Sequence, residues 1–219
     1  MRIKLFISIL SIFLFYCIKS DGKNNVSFGL SYSLNSSNIN FYNNFFPQNI
    51  RTESLSSYNL SLFTEIKNQK NTGIRIEISQ VKKGWVETYN SNNLSNEFDF
   101  LNIPVMMTTY FGGKKMKINF SIGPYAEFQI KNNSKIIKDM YPNKDIFFDE
   151  FRDNSFGYGI KASGGLTLDM NKSSFLILVS YLYNFDNLID VNQKTSMLPD
   201  ISSFRTLSFS LVYLFNFTR

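Results

Sequence analysis

The chain contains no histidine among its 219 residues. That absence removes the commonest general base, and with it Ser-His-Asp triads and Cys-His pairs. There is one cysteine, Cys17, within an N-terminal apolar run. If residues 1–20 are removed on export, the remainder has no thiol, hence no disulfide framework and no thiolate chemistry. A metal site would need oxygen ligands alone, and no acidic loop has the spacing of an EF-hand. Long hydrophobic runs are missing too. After Leu5 to Ile18, nothing approaches the roughly 20 apolar residues of a spanning helix. The expectation is no catalytic residue, no metal and no cofactor.

The first twenty residues read as a secretory signal. Arg2 and Lys4 form a positive n-region ahead of the apolar run. Cleavage is expected near Ser20, although an Ala-x-Ala site is lacking. The bulky Phe15 and Tyr16 before Cys17 make a poor lipidation signal. Removing this segment takes away Arg2, Lys4 and Lys19 and no acid, so the formal charge falls by three, from +6 to +3. No clustered basic face remains to suggest nucleic acid as a partner. Residues 21–219 suit one domain.

Within that domain apolar and polar residues alternate with period two in eight segments. They cover about Asn25–Asn35, Leu55–Lys67, Gly73–Trp85, Phe98–Phe111, Met116–Ile130, Ser155–Asp169, Phe175–Phe185 and Arg205–Phe217. In the last, Leu207, Phe209, Leu211, Tyr213, Phe215 and Phe217 form one side. In the fifth, Met116, Ile118, Phe120, Ile122 and Phe128 oppose Lys117, Asn119, Ser121 and Glu127. Several segments exceed the roughly 5–6 residues of a soluble strand and match the 9–11 of a tilted membrane-crossing one. Long connections at about 36–54, 86–97, 131–154 and 186–204 alternate with short ones at about 68–72, 112–115 and 170–174. Outer-membrane barrels have this order, with short periplasmic turns and longer outer loops. In hydrocarbon every backbone N–H and C=O must be paired internally, which strands achieve only in a closed barrel. The predicted fold is all-β: an eight-stranded antiparallel up-and-down transmembrane β-barrel. These apolar residues of the fifth and eighth segments are expected to face lipid.

Several blocks carry a resemblance. They are Ile78-Ser79-Gln80-Val81-Lys82-Lys83-Gly84, Leu101-Asn102-Ile103-Pro104-Val105, Tyr110-Phe111-Gly112, Gly123-Pro124-Tyr125, Phe156-Gly157-Tyr158-Gly159 and the closing strand. Together they resemble the outer-membrane β-barrel family widespread in Bacteroidetes, the porin-family or PorT-like proteins. The likeness spans nearly the whole exported chain. It implies a barrel fold and an outer-membrane location, and it carries no catalytic residues. The PorT-like label points to the type IX secretion apparatus as a setting. Small outer-membrane barrel enzymes, such as lipid A deacylases and omptin-like proteases, rely on histidine, so this chain cannot work as they do.

Inward positions carry Glu65, Arg75, Glu77, Lys117, Glu127, Lys161 and Asp169. They read as an ion or proton path or, preferably, as a salt-bridged plug in a narrow lumen, because buried charges must be paired and eight strands enclose only enough room for side chains. The 131–154 loop mixes charges with Tyr141, Ile146, Phe147, Phe148 and Phe151. It reads equally as a docking surface or as a lid over the barrel mouth. The same holds for Phe41, Tyr42, Phe45 and Phe46. Trp85, Tyr89, Tyr110 and Tyr125 are expected at membrane interfaces or in the lumen. The functional expectation is a monomeric, non-catalytic structural or adaptor barrel in outer-membrane lipid that binds other envelope proteins. A small passive pore is one alternative. The other is a periplasmic lipocalin-like binding barrel, which needs the alternation inverted, with apolar residues inside.

Overall fold

In the computed structural model, residues 25–42, 51–68, 71–89, 92–132, 154–170, 172–190 and 201–218 are described. The proposed signal with Cys17, Phe45 and Phe46, and most of the 131–154 loop lie outside them. Eight strands follow in chain order: β1 (Asn25–Tyr42), β2 (Arg51–Lys67), β3 (Thr72–Tyr89), β4 (Asn92–Gly112), β5 (Met116–Asn132), β6 (Phe156–Asp169), β7 (Ser173–Asn184) and β8 (Ile201–Thr218). Each pairs antiparallel with its neighbour, and β8 pairs with β1, closing the barrel. Every strand therefore has a partner on both sides, which is the condition for placing backbone in hydrocarbon.

The dyad pattern places large apolar side chains outside. Met107 is 76% exposed, Leu60 and Tyr58 70%, and Leu30 61%. A soluble protein rarely exposes a continuous apolar surface of this kind. On most strands the outward apolar stretch is 9–13 residues long, as on β1 from Val26 to Leu34 and on β8 from Leu207 to Phe217. That approximates the roughly 9–11 residues needed to cross hydrocarbon at a tilt. Charge on the outer face begins above this band, where Lys82 meets Glu97 at 2.8 Å. The inverted arrangement, with the large apolar side chains turned inward, is not the one found.

The strands run further than the alternation predicts. The expected long connection at 86–97 is not long: β3 and β4 stay paired to Tyr89↔Asn92, leaving only residues 90 and 91 between them. β1 continues to Tyr42 against Ile201. Beyond the apolar band the outer face meets water and needs no hydrophobic side chains, so period two fades while the backbone ladder goes on. The extension is one-sided. β8, β1, β2, β3 and β4 rise as a wall, whereas β6 begins at Phe156 and β7 ends at Asn184. Near its top the wall divides. β1 and β2 pair only up to Ser37↔Leu55, while β2 follows β3 to Arg51↔Thr88.

Candidate functional site

Inward-facing side chains fill the lumen unequally around its circumference. β1, β2 and β8 present small hydroxyl and amide groups in one hydrogen-bonded sheet. Ser33 donates to Ser210 (2.8 Å), Ser208 to Asn35 (2.7 Å), Asn35 to Asn59 (2.6 Å) and Asn59 to Ser61 (2.9 Å). The long charged side chains come from β3, β5 and β6, with Glu65 from β2, and meet one another inside the barrel. Small residues on one side leave room for the long ones on the other.

All seven inward charges predicted from sequence face the interior, and each has an opposite charge. Lys117 meets Asp169 at 2.8 Å near the short-turn end, where Asp169 also accepts from Ser174. Arg75 reaches Glu65 at 3.5 Å and donates to Ser121 (3.1 Å) and Tyr110 (3.1 Å), while the Tyr110 hydroxyl donates to Glu65. Lys161 on β6 bridges to Glu77 on β3 at 2.5 Å, spanning the barrel. Glu127 has a partner that the sequence reading missed. Lys83 Nζ lies 2.6 Å from Glu127 and 3.0 Å from Asn184 Oδ1. Asn102 and Asn184 donate to the same carboxylate at 3.1 and 2.6 Å, and the Tyr125 hydroxyl donates to Asn184 at 2.5 Å. Lys83 was legible by parity, being the fifth inward position in the series Arg75, Glu77, Ser79, Val81, Lys83. Its doublet with Lys82 hid the fact that the two point to opposite faces.

Gly159 makes this cluster possible. A Cβ there would lie 2.7 Å from the Tyr125 ring and 2.1 Å from the Tyr183 carbonyl oxygen, both closer than packed atoms allow. Above the cluster, Ile39, Trp85, Phe98, Phe100, Phe204 and Leu188 form a buried apolar cap with Phe41 packed against it. Trp85 stacks on Phe98 at 5.7 Å and meets Phe41 edge-on at 5.3 Å. So Trp85, Tyr110 and Tyr125 all belong to the lumen. Deeper in the barrel, Phe63, Leu176, Leu178, Val212 and Leu214 form a second apolar cluster. At the mouth, burial lifts the Asp186 carboxyl above its ordinary range and the nearby Glu127 charge adds to the effect. Hydrogen bonds from the Tyr158 N–H and Asn184 oppose it.

On the outer face, Met116, Ile118, Phe120 and Ile122 and the six residues of β8 from Leu207 to Phe217 are all exposed. Phe128 also points outward but is half-buried, because Phe156 packs on it at 5.1 Å. Among the described residues, no group of three acidic or thiol side chains is placed to hold a metal.

A closed eight-stranded barrel with a charged interior and an apolar belt is a membrane-spanning barrel in its physical class. Residues 19–190 match the outer membrane protein beta-barrel domain, and the chain belongs to that family. It is an outer-membrane barrel. Among solved structures it is similar to the outer membrane protein OprG from Pseudomonas aeruginosa, with a TM-score of 0.58 at 9% identity, covering 90% of this chain and 98% of that one. Neisserial surface protein A matches at TM-score 0.47 and 8% identity, covering 87% and 97%. AlkL, solved in DMPC bilayers, matches at 0.49 and 12%, covering 90% and 91%. OprG supports the fold alone. No curated protein matches the chain in sequence.

Proposed function

We propose that the chain is a non-catalytic, non-conducting scaffold barrel, exported by residues 1–20, whose wall beyond the membrane docks other envelope proteins. One observation carries the reading: paired charges and apolar clusters occupy the lumen among the described residues. Six charges within it, Glu65, Arg75, Glu77, Lys83, Glu127 and Lys161, are buried and form three pairs. An aromatic cap lies above them. A conducting path needs mobile water and accessible charge, and charges buried and paired in this way argue against it. What the lumen gives up, the extended β8–β1–β2–β3–β4 wall offers in its place, as a rigid platform outside the bilayer. Membership of the PorT-like branch, and work beside a type IX secretion apparatus, are the finer parts of this proposal. They rest on the Ile103-Pro104 and Gly123-Pro124-Tyr125 blocks.

A narrow water-permeable pore is the second reading. Arg75 Nε, Asn119 Oδ1 and Ser163 Oγ are buried without a protein hydrogen-bond partner, and such atoms are where ordered water binds. Planar-bilayer recording on the folded monomer separates the two. Electrical silence is expected, and reproducible steady conductance would overturn the scaffold reading. Crosslinking in cells should capture envelope proteins through the wall; a clean preparation that captured none would also count against it.

A further inference from the structure

The short-turn end of the barrel has a one-sided charge. Its three connections read Asn68-Gln69-Lys70-Asn71, Gly113-Lys114-Lys115 and Met170-Asn171-Lys172, with no acid in any of them. Lys114, Lys115 and Lys172 are exposed. The carboxylates that the strands bring to this end are already engaged: Asp169 by Lys117 at 2.8 Å, and Glu65 by Arg75 at 3.5 Å and Lys67 at 3.8 Å. Lys114, Lys115 and Lys172 form no ion pair among the described residues. At the other end the strands carry acids as well as bases, Glu97 and Asp99 among them, and Glu97 meets Lys82 at 2.8 Å.

A second observation lies on the outer wall. A trough of about 910 Å³ follows one continuous register row, passing Ile74, Met107, Ile122, Ala162 and Tyr181 to Leu207. It is shallowest in side chain at Ala162 and Gly164. Its lower end is lined by the polar Asn68, Thr72 and Thr109, beside the short-turn rim. The strand that carries Thr109 runs on directly into Gly113-Lys114-Lys115.

We infer that the short-turn end selects anionic phospholipid from the surrounding leaflet, with phosphate at Lys114, Lys115 and Lys172 and an acyl chain in the trough. The occupant follows from placement. The lysines sit on two separate turns at the barrel's rim, which suits a surrounding headgroup layer better than one compact acidic protein. The turns are only a few residues long, so the ammonium groups stay within a side chain's length of the apolar belt, where lysines reach headgroups. Each such lysine adds about 1 kcal/mol of attraction to an anionic surface, whereas zwitterionic headgroups offer no net charge.

The test uses the full chain folded into vesicles of mixed phosphatidylcholine and phosphatidylglycerol, released with mild detergent, with bound lipid weighed by native mass spectrometry. The protein should carry phosphatidylglycerol enriched roughly fivefold over its bulk share, the factor that one lysine's attraction supports. Lys114→Gln/Lys115→Gln/Lys172→Gln should return the bound ratio to the bulk value, and the matching triple Arg variant should keep the enrichment. Ala162→Phe, which fills the trough, should lower the total lipid retained. Bound lipid at the bulk ratio on the unaltered protein would overturn the inference. So would enrichment that survives the Gln variant, or lipid retention that Ala162→Phe leaves unchanged.

Discussion

Lys83 holds a carboxylate and an amide and approaches three rings. Its ammonium lies 5.2–5.8 Å from the centroids of Phe100, Tyr125 and Phe204, besides Glu127 and Asn184. Lys83→Met would leave Glu127 buried without its counter-charge, a loss that costs about 3–5 kcal/mol. Urea titration in vesicles should show a drop of that order, with part of it recovered by adding Glu127→Gln. A fully stable Lys83→Met protein would refute the assignment. Asp186 predicts the opposite sign. Its folded carboxyl binds its proton more tightly than the ordinary value of 3.8, so the folded state holds more protons than the unfolded chain between the two values. Stability is therefore lost as pH rises through that window. Asp186→Asn should stabilise the barrel at neutral pH, and the gain should vanish as the pH falls below the ordinary carboxylate range. A gain independent of pH would exclude Asp186 as its source.

At the scale of the strand, the apolar belt sets which substitutions are tolerated. Ile122 stands outward near the middle of the belt, where an arginine costs roughly 2–4 kcal/mol; Ser36 lies just above Leu34 at its edge, where the cost falls to about 0–1. Folding into bilayers should suffer more from Ile122→Arg than from Ser36→Arg, and equal effects would displace the belt. Ser121→Arg is a poor inward control. The inward carboxylates Glu77 and Glu127 that could receive the new charge are already held by Lys161 and Lys83, and Ser121 itself touches Arg75. Strand number, facing and the short turns were all legible in the chain because hydrocarbon imposes period two on any strand crossing it. The extensions were not. From Val86 to Asn96 both faces carry polar residues, and nothing in the pattern separates a wet hairpin from a loop. Nor was the pairing of charges legible. Lys161 and Glu77 lie three strands apart, and which side chains meet across a lumen depends on the stagger of every ladder between them.

Taken whole, the barrel has one seam of a different kind from the other seven. Seven ladders join strands adjacent in the chain, whereas the eighth joins Asn25–Tyr42 to Ile201–Thr218 across eighteen paired positions. Removing residues 201–218 should abolish the heat-modifiable gel shift of a closed barrel and leave a protease-sensitive chain; a compact, resistant product would show that β7 can close on β1. The same seam governs time. Local hairpins gain their bonds early and at little entropic cost, but closure must wait for the last strand and bring together the most distant parts of the sequence, the slowest kind of contact to form. Until then β1 presents an unpaired edge, open to pairing with another chain. The interval between the first hairpin and the final ladder is when this protein is most exposed to aggregation and has most need of an escort, and the 18-residue length of β1 sets how much edge must be guarded.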